Sequence, residues 1–412
     1  MSDAAPPPTP ASGIAGNLRL LPWWWVFRWA WLGEGIWVLY LTEDRGITLG
    51  QVVLFEAVFA AVVVVGEVPT GMVADRFGRR ASLVLGSLAV VAAFLAFGLS
   101  PFLWMLLVAY TLFGLSETLF SGADSAMLFD SLKAAGREDE FTLWNGRLNA
   151  LLTGAIALWT VVGSAMVRWT PLTTPILLSA ALSFPAVVMA WRLREPPRDD
   201  ERHSYLETGR LALRNVARSR PLRSAIVLMA ITTWSIALVS ITQQIVIVRS
   251  GLPVWSVGLF VAGQMAMAAL GSAIAHRFGT ALSVRRTFLW MPLLSTLALL
   301  AAVPQSIWLY PLFIFPAFGW NVMWPHFAEY LSHRAPDSLR ATTISVASVI
   351  ASAGAILVAP VLALGVDRLG LAETLTGASL VYALGVFVAY AAWSRAGDTA
   401  ARPPAPSLAE AA

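Results

Sequence analysis

Residues 66–80 read GEVPTGMVADRFGRR, and what lies on either side of them decides the fold. Before them runs LGQVVLFEAVFAAVVVV (49–65), and after them ASLVLGSLAVVAAFLAFGL (81–99). Each flank approaches the ~20 apolar residues needed to cross ~30 Å of hydrocarbon. The arginines therefore sit in a short connection between two membrane spans. Working outward, the alternation recurs along the chain, with spans expected near 21–42, 49–74, 81–99, 102–130, 143–167 and 171–192, and again near 223–248, 254–276, 285–303, 306–331, 340–366 and 371–393. Composition agrees: 58% of the 412 residues are hydrophobic and 13% are charged, about half the ~25% charged content of a soluble domain. With mean hydropathy at +0.70, a water-soluble globule and a disordered chain are both excluded. The expected fold class is an all-α polytopic membrane protein of about twelve transmembrane helices.

The absences narrow the chemistry. There is no cysteine, which removes disulfides, iron–sulfur clusters and thiol nucleophiles. His203, His276, His326 and His333 show no zinc-protease spacing, the one lysine (Lys133) lies in no phosphate-binding loop, and no G-x-S-x-G or G-x-G-x-x-G run occurs. No enzymatic activity, metal or cofactor is expected. The pI near 9.7 does not point to nucleic acid, because the arginines sit in short loops between spans, as membrane topology requires. With the N-terminus inside, the outer loops hold only Arg45, Arg168, Arg249 and Arg368, so both termini are expected in the cytoplasm.

The expected organisation follows. Residues 1–16 form a Pro/Ala-rich disordered tail, 17–192 a six-helix half, 193–222 a cytoplasmic linker, 223–393 a second six-helix half, and 394–412 another disordered tail. The first apolar stretch is long and contains Arg28 and Glu34, so it reads as a span rather than a signal peptide. In the linker, Leu206, Leu213, Val216 and Ala217 share a helical face away from Arg210, Arg214 and Arg218, the pattern of a surface amphipathic helix; a solvated linker is the alternative.

The loop that opened this reading has a worn copy. AHRFGTALSVRR (275–286) follows the eighth span as GMVADRFGRR follows the second, so the two halves are internal repeats. With Gly71, Asp75, Arg76, Gly78, Arg79 and Arg80 in the order G-x-x-x-D-R-x-G-R-R, the chain resembles the major facilitator superfamily over essentially its whole length. EVPTG (67–71) and SGADSAMLFDSL (121–132) resemble a bacterial efflux-type branch. Thr118 stands where many proton-coupled members carry an arginine, and the fifth span has Gly154 and Gly163 but no Gly-Pro. The resemblance implies a cytoplasmic gate in which Asp75 caps a helix of the other half. Arg76, Arg79 or Arg80 would pair with Asp130, while Gly71 would permit tight helix contact and Gly78 a sharp turn.

Ionisable groups within spans cost free energy and call for a partner or a purpose. By helical rise, Arg28, Glu67 and Asp124 lie roughly 10 Å inside, with Arg147 slightly shallower; they are expected to form an inner charge network. Glu34 and Glu117 lie deeper, roughly 20 Å in. Glu117 and Asp124, seven positions apart with Ser121 between them, would share one helical face. Carboxylates at this depth can take up and release protons, so Glu34, Glu117 and Asp124 are the candidate proton-coupling residues. The second half carries little charge in its spans but holds Trp234, Gln243, Gln244, Gln264, Trp320, Asn321 and Trp324, an aromatic and amide set suited to a bulky amphipathic ligand.

These readings converge on a secondary active transporter using alternating access, with proton-coupled export of amphipathic organic compounds. The alternative is an uptake permease or facilitator for a small metabolite. The driving force would be the proton gradient. The partners would be a small-molecule substrate and the bilayer, with no nucleic acid, and the protein would be a monomer in the bacterial cytoplasmic membrane.

Overall fold

The computed structural model describes residues 14–195 and 205–397, apart from positions 282, 305, 337 and 338. The expectations for most of both tails and for linker residues 196–204 lie outside the described residues. The described chain is helical throughout: α1 (Asn17–Phe27), α2 (Trp37–Leu39, continuing as a π-helical turn over Tyr40–Asp44), α3 (Leu49–Phe77), α4 (Arg79–Leu99), α5 (Leu103–Phe120), α6 (Ala123–Ala134), α7 (Phe141–Met166), α8 (Thr173–Arg192), α9 (Tyr205–Arg218), α10 (Arg220–Arg249), α11 (Trp255–Ala281), α12 (Ser283–Ala301), α13 (Phe315–Arg334), α14 (Arg340–Leu369) and α15 (Leu371–Gly397). Among the described residues, ten helical segments are long and apolar enough to cross a membrane. The first and tenth expected spans fall outside that set. The tenth begins as a 3₁₀ segment, Ile307–Ile314, before α13.

The first span departs most from expectation. The run 21–42 is not one helix: α1 stops at Phe27 and regular helix resumes only at Trp37. The intervening GEG at 33–35 supplies two residues of poor helix propensity, and the freed backbone finds other partners. The Leu32 amide donates to Ser179 Oγ at 3.0 Å, and the Trp159 indole N–H donates to the Val26 carbonyl at 3.3 Å. Gly163 lets α7 approach, since a Cβ there would run into the Leu32 carbonyl. The fourth span is also interrupted, between α5 and α6, where Gly122 takes a φ of 72°. The single continuous face expected for Glu117 and Asp124 is therefore replaced by two helices meeting at a turn.

The chain divides into two compact units, residues 1–37 with 61–201 and residues 38–60 with 202–412. In the first, α4 packs against α5 and α8, and α1 against α7 and α8. Its core is aromatic, with Trp24, Phe94 and Phe97 almost fully buried. Asn17 ties the start of α1 to the chain beyond α8: its side-chain amide donates to the Arg194 carbonyl and its oxygen accepts from the Arg194 amide, both at 2.9 Å.

In the second unit, α10 packs against α14 and α15, and α11 and α12 against α13. Residues 38–60, assigned from sequence to the N-terminal half, group here because polar contacts hold them. Gln244 accepts the Val38 amide at 2.9 Å, and Asp367 accepts from Thr48 Oγ1 at 3.2 Å and the Gly50 amide at 3.3 Å. Asp367 thereby caps the N-terminus of α3. The amphipathic helix forms as α9, with Ala212 and Val216 buried and Arg210, Arg214 and Arg218 exposed. Leu213 and Ala217, expected on the apolar face, are exposed, because the buried stripe of α9 against α14 is set by 212 and 216. Leu206 has no described side chain.

Two glycines of α7 allow a direct test. Gly163→Val should lower stability by about 1–3 kcal/mol or more, because the added atoms overpack against a backbone carbonyl. Gly154→Ala should be neutral or slightly stabilising, since nothing lies within 4 Å of a Cβ at that position. Thermal unfolding midpoints of the detergent-solubilised variants check both.

Candidate functional site

The charged centre of the first unit is built around Arg28, where α1 ends. Its Nη1 meets Asp124 Oδ2 at 2.6 Å, with the two side chains only 10% and 15% exposed. The guanidinium also lies 4.1 Å from the Trp25 ring centroid, 5.0 Å from Trp24 and 5.5 Å from Phe120. Arginine suits this cage because a weakly hydrated planar cation can stack on rings while pairing with a carboxylate. Asp124 lies in the first turn of α6 and its other oxygen accepts the Ser125 amide at 2.6 Å.

Glu117 sits at the end of α5 within electrostatic range of Arg28 and Asp124, with Trp29 as a side-chain hydrogen-bond donor. Glu67 on α3 is hydrogen-bonded by Ser121 and lies within electrostatic range of Glu117. Asp124 and Glu117 thus both face the guanidinium, with Glu67 in electrostatic range of Glu117. Glu34 occupies the non-helical segment, where Trp31 hydrogen-bonds it. Arg147, expected in the same network, is exposed on α7 and lies in range of Glu140 instead. Glu140 itself takes a two-pronged contact from Arg137, at 2.7 and 2.6 Å. Thr118 is in close contact with Gly66, whose Cβ would sit 3.1 Å from Thr118 Oγ1; an arginine at 118 would have no room there.

The loop signature forms a second cluster. Of its three arginines, Arg79 pairs with Asp130. Gly78 makes the turn, with a φ of 104°, a region that favours glycine. Gly71 does not mediate a tight contact, since nothing lies within 4 Å of where its Cβ would be. Arg76 is exposed and lies over the Phe77 ring, and the Asp75 side chain lies outside those described. Sequence reasoning missed Glu195. Its two carboxylate oxygens accept the backbone amides of Arg79 and Arg80, each at 2.8 Å, and so cap the N-terminus of α4. Arg80 completes the joint by donating to the Trp191 carbonyl at 2.6 Å. The available signal was the acidic residue of REPP (194–197), directly after the sixth span.

In the second unit most of the candidate ligand residues bond to protein. Trp234 donates to the Ala351 carbonyl at 3.1 Å. Gln264 donates to Gln243 Oε1 at 2.7 Å and to the Phe313 carbonyl at 2.8 Å. Gln243 and Gln244 are 2% and 1% exposed, and Gln244 holds Val38 as described above. Asn321 donates to the Ala317 carbonyl and accepts from Ser272 Oγ at 3.1 Å. Trp320 and Trp324 are half-buried, with ring centroids 5.5 Å apart.

Long apolar helices in two units, with charged and aromatic side chains at mid-span, define a polytopic membrane transport fold. Residues 30–360 match the family described as Major Facilitator Superfamily, and the chain belongs to that family. Over 198 residues it is 30% identical to a probable nitrate/nitrite transporter, NarK2, of Mycobacterium tuberculosis, covering 45% of this chain and 47% of that protein. Over 117 residues it is 32% identical to a Na(+), Li(+), K(+)/H(+) antiporter of Planococcus maritimus, covering 27% of each. The matches thus span less than half the length of these curated relatives. Among solved structures, the nucleoside transporter NupG superposes with a TM-score of 0.76 at 12% identity, over 93% of this chain and 100% of that one. That likeness is one of fold.

The ion pair makes a measurable prediction. Arg28→Gln should destabilise the protein by about 3–5 kcal/mol, because it leaves the buried Asp124 charge without its counter-ion, and Asp124→Asn should cost less, because Glu117 stays in range of Arg28. The double variant should cost clearly less than the sum. Unfolding midpoints of the four proteins in one detergent complete the cycle.

Proposed function

We propose that this member of the family is a secondary active transporter working by alternating access, and that it exports amphipathic organic compounds in exchange for protons. The observation that carries the reading is the excess of carboxylates at the Arg28 cluster. Asp124 occupies the guanidinium, so Glu117 and Glu67 share the remaining space with indole and hydroxyl donors. Glu117 lies deep along its span, with Arg28 and Asp124 in electrostatic range and Trp29 as its hydrogen-bond donor. In this reading Glu117 holds a proton in one stage of the cycle and yields it when a cationic amphipathic substrate arrives. Trp29 and Trp31, each with one face stacked on a phenylalanine (Phe113 and Phe94), set indoles beside carboxylates, a combination that recognises organic cations. Within the second unit, Trp320 and Trp324 are the aromatic pair proposed to contact an apolar cargo.

Glu34 is the second carboxylate of the proton path. The Arg79–Asp130 contact, braced by Glu195, is part of the gate. The protein acts as a monomer in the bacterial cytoplasmic membrane with both termini inside, and no cofactor enters the cycle. Uptake of a small anion has less support, because Arg28 is already neutralised by Asp124.

Transport in proteoliposomes with and without an imposed pH gradient tests the proposal. Wild-type protein should accumulate a lipophilic cation against its gradient only when the pH gradient is present. Glu117→Gln should abolish that accumulation while sparing substrate exchange. A wild-type protein indifferent to the pH gradient would make a facilitator the better reading. Full accumulation by Glu117→Gln would move the coupling site elsewhere. Separately, Arg79→Ala should impair transport several-fold while leaving membrane-inserted, folded protein, as judged by initial rates at matched protein content.

A further inference from the structure

A groove of about 460 Å³ lies between α10 and α15 in the second unit. Its apolar walls include Val227 and Ile231 from α10 and Gly385 and Val388 from α15, and Arg220 and Arg223 stand at one end. Ser224 also borders it, but its hydroxyl is tied back to the Arg220 and Pro221 carbonyls at 2.9 and 3.1 Å, so the wall offers no polar group along its length. Gly385 makes the room: a Cβ there would already be 3.6 Å from Ile231 Cδ1, and any longer side chain would extend into the slot.

The charge is confined to the mouth. Arg223 donates one N–H to the Ala217 carbonyl at 2.8 Å, which fixes the guanidinium there, and both arginines are exposed. Among the described residues, no carboxylate forms an ion pair with either of them. Arg218, also exposed, precedes them at the end of α9. Charges at the mouth and hydrocarbon-like walls below match a molecule with an anionic head and an apolar tail.

Dimensions select which molecule. From Arg220 to Ile231, α10 rises about 16 Å at ~1.5 Å per residue, close to half of the ~30 Å hydrocarbon thickness. The groove is thus about one leaflet deep, with its arginines at headgroup level. We propose that the groove is a binding site for an anionic glycerophospholipid, with an acyl chain along Val227, Ile231 and Gly385 and the headgroup phosphate between Arg220 and Arg223. Basic pockets between transmembrane helices at the cytoplasmic face are suited to such headgroups. The site is independent of the transported substrate; it would seal the seam between α10 and α15 where the linker helix joins the second unit.

Native mass spectrometry of the full chain, titrated in detergent with phosphatidylglycerol or phosphatidylethanolamine, tests the site. Wild-type protein should retain one phosphatidylglycerol in preference to phosphatidylethanolamine. Arg220→Gln with Arg223→Gln, which alters only exposed side chains, should weaken that retention by roughly tenfold or more, the scale expected for two basic groups at an anionic headgroup. Gly385→Leu keeps both arginines and should weaken retention by blocking the slot. Excess glycerol 3-phosphate should compete poorly, because it lacks the tail. Equal retention by wild type and either variant, no preference between the two lipids, or ready displacement by glycerol 3-phosphate would each overturn the proposal, the last by revealing a free-phosphate site.

Discussion

A guanidinium held inside a membrane span must be neutralised, and most of what distinguishes the first unit follows from how Arg28 meets that demand. Its counter-ion, Asp124, comes from another helix, and both partners stand at helix ends: Arg28 caps the C-terminus of α1 and Asp124 lies in the first turn of α6. A cation at a helix C-terminus and an anion at an N-terminus are each favoured by the helix dipole. The ion pair therefore coincides with the two places where a continuous span would have been expected and is not found. Trp24, Trp25 and Phe120 close over the guanidinium, so the pair is shielded in the region where its electrostatic worth is greatest.

An interrupted span exposes backbone groups that lipid cannot satisfy. Here the protein supplies them with partners. Ser179 takes the Leu32 amide, Trp159 reaches the Val26 carbonyl, and Gly163 gives up its side chain so that the Leu32 carbonyl can sit against α7. Irregular backbone at membrane depth, tolerated only where protein or a cavity surrounds it, brings Trp29, Trp31 and Glu34 together within a few residues. In a regular helix Trp31 and Glu34, three positions apart, would share a face, and Trp29 would lie on another. The broken span is thus a packing problem that α7 and α8 solve.

The second unit uses polarity differently. Gln243, Gln244, Gln264 and Trp234 brace helix to helix and helix to backbone. Buried amides left unsatisfied in such a setting would be costly, and here each is engaged. Asp367 and Glu195 act alike at helix termini, Asp367 accepting one backbone amide and a threonine hydroxyl and Glu195 two backbone amides at the start of a long span. Aromatic surface, rather than amide chemistry, is what Trp320 and Trp324 leave available.

The amino-acid sequence by itself determined the class of protein, an all-helical chain with many membrane spans, and marked Asp130 as the partner of one of the loop arginines, which the structure shows to be Arg79. It could do so because hydrocarbon thickness and the cost of buried charge act on composition and spacing, which are linear properties of the chain. It also marked Arg28 and Asp124 as groups needing partners. Only the tertiary structure decided that α1 and α5 end where they do, that Glu195 caps α4, that Gly163 and not Gly71 stands at a close approach, and that the glutamines bond inward. Those outcomes depend on which atoms of distant segments arrive at a given backbone group. GEG at 33–35 signals weak helix, but whether the helix breaks depends on Ser179, Trp159 and Gly163 being there to receive the freed groups, and no local pattern in the chain encodes that meeting.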